Sequence, residues 1–261
     1  MTTTRHQFIL ATIVEAGDLL IKTRDDKFTV SFKNGDTTDL VTSVDIVVDE
    51  FIKKAIKATF PDDLIYSEES AKDDLASGSS CWTIDPIDGT ANFSRGIPHY
   101  AVSLGYIENG ICIVGAIYNP ITRELFSFEK GKGAYLNGKL IHVSKVETIS
   151  EAYILLLIGR SKSLHEWGLG LQRRFLGSAK KISNLGSSAL DLCFVASGRV
   201  DAMIYGLLTT KDISPAIGIL REAGGEVYGE NGDQVVLSDK PQKVFATATR
   251  GLFEEVKDSG K

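Results

Sequence analysis

Several chemistries are excluded by what this sequence lacks. It has three cysteines, Cys81, Cys112 and Cys193, set far apart in apolar surroundings without metal-ligand spacing. An odd, scattered set of this kind reads as buried thiols in a reducing cytosol, and the expected location is cytoplasmic. The four histidines (His6, His99, His142, His165) are equally dispersed. No glycine-rich phosphate loop ending in Gly-Lys-Ser/Thr, no Gly-x-Ser-x-Gly elbow and no His-Glu-x-x-His pair occurs, which argues against a P-loop NTPase, a serine hydrolase or a zinc protease. No apolar run approaches membrane-spanning length. Basic residues are not in excess: the net charge is −5, so no nucleic-acid footprint is expected. Repeats, low-complexity tracts and an obvious flexible linker are also missing. At 261 residues with 43% hydrophobic and 24% charged content, what remains is a globular chain with a sizeable core.

The stretch from Trp82 to Phe93 draws the rest of the chain together. Cys81, Thr83 and Asp85 alternate with Trp82 and Ile84, as in a strand. Pro86 donates nothing to a ladder, so the strand is expected to stop there. Asp85 and Asp88 then sit on a tight connector, and Gly89-Thr90 opens a short helix. Asp-Pro and Asp-Gly are also ordinary turn chemistry. Yet carboxylates at a strand end, followed by backbone amides, suit a hard cation and a phosphate together.

Around this stretch, residues 5–22 carry a helical apolar face (Phe8, Ile9, Ile13, Ala16, Leu19, Leu20). Phe28, Val30 and Phe32 alternate as a strand towards an Asn34-Gly35 turn. Thr42-x-x-Asp45 is a capping box that opens a helix ended by Pro61. Leu64–Tyr66 is a short strand leading into Ser67-Glu68-Glu69-Ser70. From Tyr100 to Val143 the pattern is a meander punctuated by Glu108-Asn109-Gly110, Asn119-Pro120, Gly131-Lys132-Gly133 and Asn137-Gly138. Beyond it come a strand over 153–158, a helix over 187–196, a strand over 200–205, a helix over 213–223, and a last strand and helix at 244–248 and 252–256. The chain reads as one unit: an α+β part over 1–150 with most of the acidic residues, and an α/β part over 151–261 that contributes Asp212.

Glu68, Asp85, Asp88 and Asp212 form a distributed acidic set. Asp212 precedes an apolar helix, where the alternative role is an N-cap. Carboxylates gathered in a cleft repel one another and raise one another's pKa unless cations neutralise them. Two Mg²⁺ ions roughly 4 Å apart would clamp a displacement at phosphorus. Glu68 and Thr90 are residue types suited to orienting a water.

Ser67-Glu68-Glu69-Ser70, then Trp82 to Phe93, then Asp212 with Arg221-Glu222-Ala223-Gly224-Gly225, resemble the inositol monophosphatase family. The likeness takes in Asp39-Leu40-Val41-Thr42-x-x-Asp45, Gly131-Lys132-Gly133-Ala134 and Ala196-Ser197-Gly198-x-x-Asp201-Ala202, nearly the whole chain. It implies a layered αβαβα sandwich of the kind shared with fructose-1,6-bisphosphatase. It further implies a homodimer that hydrolyses phosphate monoesters with two to three Mg²⁺ ions and is sensitive to Li⁺. It would place Glu68, Asp85 and the Ile87 carbonyl on one Mg²⁺, and Asp85, Asp88 and Asp212 on a second, with a third, weaker ion near Glu68. Water activation would fall to Glu68 and Thr90, the Thr90 hydroxyl held by Asp45. Gly89 and Thr90 amides would take the phosphate, and Gly186-Ser187-Ser188 would face the substrate together with Asp88 and Asp212.

Two positions depart from the family pattern. Inositol-binding members carry Trp before the last ligand Asp, where this chain has Lys211, and a sugar-contacting Glu where it has Tyr205. Both belong to the side gripping the alcohol. A sugar or polyol monophosphate is the expected substrate. Fructose 1,6-bisphosphate is a rival because Lys211 could meet a second phosphate, and histidinol phosphate, a nucleotide 3′-phosphate or a non-catalytic phosphosugar-binding role are further alternatives.

Overall fold

The computed structural model describes residues 4–25, 28–32, 40–69, 79–158, 162–210 and 212–257. The Asn34-Gly35 turn, Asp39, Ser70 and Lys211 lie outside the described residues. Helix α1 spans Arg5–Asp25, and a two-stranded ribbon of β1 (Val30–Phe32) and β2 (Leu40–Thr42) leads into α2 (Ser43–Thr59). The capping box at the start of α2 is present: the Thr42 hydroxyl accepts from the Val44 and Asp45 amides, and the Asp45 carboxylate accepts from the Thr42 amide. Then follow β3 (Leu64–Ser67), β4 (Cys81–Asp88), the short α3 (Thr90–Ser94), and the meander β5 (Ala101–Glu108), β6 (Ile111–Asn119), β7 (Glu124–Glu129), β8 (Ala134–Leu136) and β9 (Lys139–Ile141). These seven strands, β3 to β9, form one sheet in chain order, antiparallel except for the β3–β4 pair. Asn109-Gly110 and Asn137-Gly138 close two-residue hairpins with positive φ at both positions, the conformation such turns require.

The second half contributes β10 (Tyr153–Leu157), α4 (Lys162–Phe175), β11 (Lys181–Ser183), α5 (Ser188–Ala196), β12 (Ala202–Leu208), α6 (Ser214–Glu222), β13 (Glu226–Tyr228), β14 (Gln242–Thr247) and α7 (Arg250–Lys257). Its five strands run β11-β10-β12-β14-β13, parallel over the first three and antiparallel thereafter. Three apolar clusters give the layering. Ile9, Ile13 and Leu20 of α1 and Val48 and Ile52 of α2 pack with Trp82, Ile84 and Leu104 on one face of the large sheet. Leu190, Leu192, Ile217 and Leu220 of α5 and α6 lie with Ile117 and Phe128 of the large sheet and Met203 and Val244 of the small one. Leu171 and Phe175 of α4 and Leu252 and Val256 of α7 cover Ile154, Ile204 and Phe245 on the far side. The order is therefore helices, sheet, helices, sheet, helices, the αβαβα sandwich implied by the resemblance. The three cysteines are buried and free.

One expectation fails here for a definable reason. Strand β4 does not stop at Pro86 but runs through it to Asp88. The register with β5 shifts between the pairs Asp85↔Ser103 and Asp88↔Ala101, so Pro86 lies in an irregularity where its missing N–H is not needed.

The middle helices are packed to contact. A Cβ built on Gly218 of α6 falls 2.0 Å from Cζ of Phe128, which is itself buried, whereas one built on Gly170 of α4 meets nothing within 4 Å. Gly218→Ala should therefore lower unfolding stability by about 1–3 kcal/mol through overpacking. Gly170→Ala, at an exposed helical position, should raise it by up to about 1 kcal/mol. Urea unfolding midpoints check both signs; a harmless Gly218→Ala would refute the tight seating of α6.

Candidate active site

The parallel pairing of β3 and β4 sets Ser67 beside Ile84 and brings the two strand ends out on the same edge. The Glu68 amide donates to the Ile84 carbonyl (3.1 Å), which fastens Glu68 next to Asp85. Asp85 accepts from the Ile87 amide through Oδ1 (3.0 Å) and is also in hydrogen-bond contact with the Glu68 side chain. Its carboxyl is held well above the usual carboxylate range, first by burial and then by the charges of Glu68, Asp88 and Asp212. From the second half of the chain, the turn ahead of α6 delivers Asp212. The Ser103 hydroxyl donates to its carbonyl (3.4 Å), and Tyr66 is hydrogen-bonded to its carboxylate. Burial, then the Asp212 and Asp239 charges, raise the Tyr66 phenol.

Asp212 is not the cap of α6. That position is occupied by Ile213, with no side-chain cap bond. The cap alternative for Asp212 is thereby removed.

Glu68, Asp85, Ile87, Asp88, Gly89, Thr90, Ser188 and Asp212 line one open cavity of about 330 Å³, closed by Leu207, Leu208, Thr209, Ile213 and Pro241. Sequence positions spread over 145 residues (68 to 212) are thus gathered at one place. Three of the expected contacts differ. The Thr90 hydroxyl donates to the Ile87 carbonyl (2.9 Å), while Asp45 accepts from the Thr42 hydroxyl and amide, so the expected Thr90–Asp45 bond is not formed. The capping box holds the Asp45 carboxylate at the third helical position through Oδ2, and the Thr90 hydrogen is taken by the Ile87 carbonyl instead. Ser187 and Ser188 give their hydroxyls to Asp88, Ser188 at 2.6 Å, and the Ala189 amide adds a bond of 3.0 Å to the same carboxylate. Asp88 therefore closes the start of α5 from another part of the chain, where the helix dipole and free amides favour an anion. Burial raises the Asp88 carboxyl and these three donors pull it back. Ser188 reaches the cavity; Gly186 and Ser187 stand behind it, and Gly186 sits against the Asn92 amide. Tyr205, finally, is turned away: it is 2% exposed and its hydroxyl donates to Asp191.

The structure gives a role to Asn92, Leu207 and Pro241, to which the sequence alone assigns none, and a reason for the glycine at position 89. Asn92 donates to the carbonyls of Leu185 and His99 (both 2.8 Å), tying α3 to the segment before α5. Gly89 has a φ of +93°, and a Cβ there would lie 3.1 Å from the His99 carbonyl oxygen and 3.2 Å from Ser187 Cβ, so the tight turn is open only to glycine. Leu207 and Pro241 carry no motif, and only the fold reveals them on the cavity wall.

Among the described residues, no three carboxylates, imidazoles or thiols close on a point as a bound metal requires. Asp88 faces α5, and Glu68 and Asp85 face each other. In kind, however, the donors fit a hard divalent cation: four carboxylates and one carbonyl, all oxygen. Two carboxylates in hydrogen-bond contact need a shared proton or a cation between them.

The family model described as the inositol monophosphatase family matches residues 3–259. The chain belongs to this family. It is 34% identical over 229 residues to Nus factor SuhB of Pasteurella multocida, covering 86% of this chain and 84% of that one. It is likewise 34% identical over 196 residues to the fructose-1,6-bisphosphatase/inositol-1-monophosphatase of Thermotoga maritima, covering 75% and 73%. The crystal structure of the extragenic suppressor protein suhB from Bartonella henselae superposes with a TM-score of 0.89 at 28% identity, over 97% of both chains. The inositol monophosphatase fold is thus shown over nearly the whole chain, and no helix among the described residues is long and apolar enough to cross a membrane.

The raised Asp85 carboxyl has a consequence for stability. A carboxyl raised on folding contributes stability that is complete below the ordinary value of 3.8 and is lost as pH rises through the raised value. Ionised Asp85 therefore opposes folding at neutral pH when no cation is bound. In chelator, Asp85→Asn should melt above wild type at pH 8, by about 2–4 °C for each kcal/mol of repulsion relieved, and the gap should narrow at pH 4. Added Mg²⁺ should raise the melting temperature of wild type more than that of the variant. A variant that melts below wild type in chelator would show that Asp85 is not under charge strain.

Proposed function

We propose that this protein hydrolyses phosphate monoesters of small alcohols with the aid of Mg²⁺. The observation that supports it best is the gathering of Glu68, Asp85, Asp88 and Asp212 with the Gly89-Thr90 turn in one cavity. In this reading Glu68, Asp85 and the Ile87 carbonyl would hold one ion, and Asp85, Asp88 and Asp212 would hold a second. When bound, Mg²⁺ neutralises the carboxylates and draws negative charge from the phosphoryl oxygens. The chain's own groups do the rest. Glu68, at the mouth of the cavity, accepts a proton from the attacking water. The Thr90 hydroxyl has given its hydrogen to the Ile87 carbonyl, so its oxygen is left to accept from that water and orient it. The Gly89 and Thr90 amides receive phosphate oxygens. Water oxygen adds to phosphorus, the bond from phosphorus to the ester oxygen breaks, and the released alkoxide takes up a proton, giving an alcohol and inorganic phosphate.

The polyol specificity implied by the family resemblance gains no support at Tyr205, which is turned away from the cavity. A bisphosphate reading draws on the name of the Thermotoga relative. A homodimer remains part of the proposal and is checked by particle mass in solution. A second, non-catalytic reading has one observation in its favour. Asp88 is fully engaged with the start of α5, and a relative of equal identity is named a Nus factor.

Phosphate release from inositol 1-phosphate and fructose 1,6-bisphosphate, with Mg²⁺ and with chelator, tests these readings. Wild type should release phosphate only with Mg²⁺. Asp85→Asn and Glu68→Gln should lower kcat by about 10²–10³-fold or more, and Thr90→Ala by about 10²-fold. Asp212→Asn should raise the Mg²⁺ requirement without lowering thermal stability. Folded wild type that releases no phosphate at any Mg²⁺ concentration would hand the protein to the non-catalytic reading.

A further inference from the structure

If the protein is a phosphomonoesterase, the wall of the cavity beyond the carboxylates decides which alcohol leaves, and a substrate preference assigned to that wall rests on the hydrolase reading. The position expected to carry a sugar-contacting carboxylate holds Tyr205, whose hydroxyl donates to Asp191 Oδ2. The other oxygen of Asp191 faces His99 Nε2 at 2.9 Å, and Asp191 is wholly buried. The Tyr205 hydroxyl and the Asp191 carboxylate are therefore turned inward and engaged, and the polar side chains that reach the cavity belong to its carboxylate end, with Ser188 and Thr209. Two residues further along β12 the chain emerges, and Leu207, 47% exposed, lines the cavity with Leu208. The pairing of Leu208 with Gln242 in β14 brings Pro241 alongside, and Thr209 adds a single hydroxyl.

A ring bearing hydroxyls on every carbon would leave most of them without partners against Leu207, Leu208 and Pro241, and unpaired polar groups are what such a site discriminates against. An apolar ring would instead cover a leucine that water now wets. We propose that this wall selects phosphate monoesters of compact apolar ring alcohols over those of fully hydroxylated polyols, with Leu207 and Pro241 as the specificity-determining residues. The phosphoryl group is taken by the carboxylate end and the bare ring by the leucine end.

Cyclohexyl phosphate and myo-inositol 1-phosphate share a six-membered ring and differ in ring hydroxyls, so they isolate the wall from the reaction. With saturating Mg²⁺, KM for cyclohexyl phosphate should be lower by about tenfold or more. Leu207→Ser should raise that KM about fivefold and leave the KM for inositol 1-phosphate within about twofold; Pro241→Ser should act in the same direction. An equal or lower wild-type KM for inositol 1-phosphate, or equal losses on both esters in the two variants, would overturn the proposal. If neither ester releases phosphate, it is the hydrolase reading that fails. The wall is then judged by calorimetric Kd for the same two esters in Mg²⁺: tighter cyclohexyl phosphate, weakened by Leu207→Ser, supports it, and equal or reversed affinities overturn it.

Discussion

The molecule is organised around the burial of negative charge at the end of β4. Asp85 is almost entirely inside, 4% exposed, and feels Glu68, Asp88 and Asp212 at once. Like charges in a medium of low dielectric constant separate, protonate or bind a cation. Holding them together needs rigid backbone from several directions, and the fold supplies it: a parallel strand pair for Glu68, a proline-containing irregularity for Asp85 and Asp88, and a helix start for Asp212. A site of like charges assembled from separate elements is costly to the apo fold, and that cost is what a bound cation offsets. The extensive apolar packing in three layers is the counterpart that lets the chain tolerate it.

Asp88 shows how the two halves are joined. Its carboxylate ends a strand of the large sheet and accepts from Ser187, Ser188 and Ala189 at the head of α5, which lies between the sheets. A short polar clamp therefore crosses from one half to the other beside the cavity. Asn92 makes a second tie a few residues away. Any movement of α5 relative to the large sheet passes through these bonds, so positioning of the carboxylates and packing of the middle layer are one problem.

The elements with strong local signals are legible from sequence. The capping box at Thr42, the two Asn-Gly hairpins and the apolar face of α1 each depend on interactions within a few residues, and each is present. Signals that depend on the partner strand are not. Pro86 ends a strand by local rules, and only the shifted register against β5 accommodates it. Helix α4 is faint in the sequence because Gly168 and Gly170 weaken the pattern, although Leu164, Leu171 and Phe175 repeat at helical spacing and are all buried. The short strands β11 and β13 have three residues each, too few for a period to register, and are held by neighbours distant in sequence.

The site divides along the same line. Acidic residues and glycine at fixed spacing are visible in sequence because the chemistry restricts which residue types serve. The direction a side chain takes is not: Thr90 turns to a backbone carbonyl, the serines at the start of α5 turn to Asp88, and Tyr205 turns into the core to meet Asp191. In each case a buried or partly buried polar group has taken a protein partner, as burial demands. For Tyr205 the consequence reaches the substrate side. The Tyr205 hydroxyl is satisfied against Asp191, and both side chains are buried away from the cavity. The register of β12 against β14 then shifts between Tyr205 and Leu208, so the regular alternation of side chains is broken there and Leu207 stands exposed on that wall. A polar side chain held inside and an apolar one presented outside thus lie two residues apart at one irregularity.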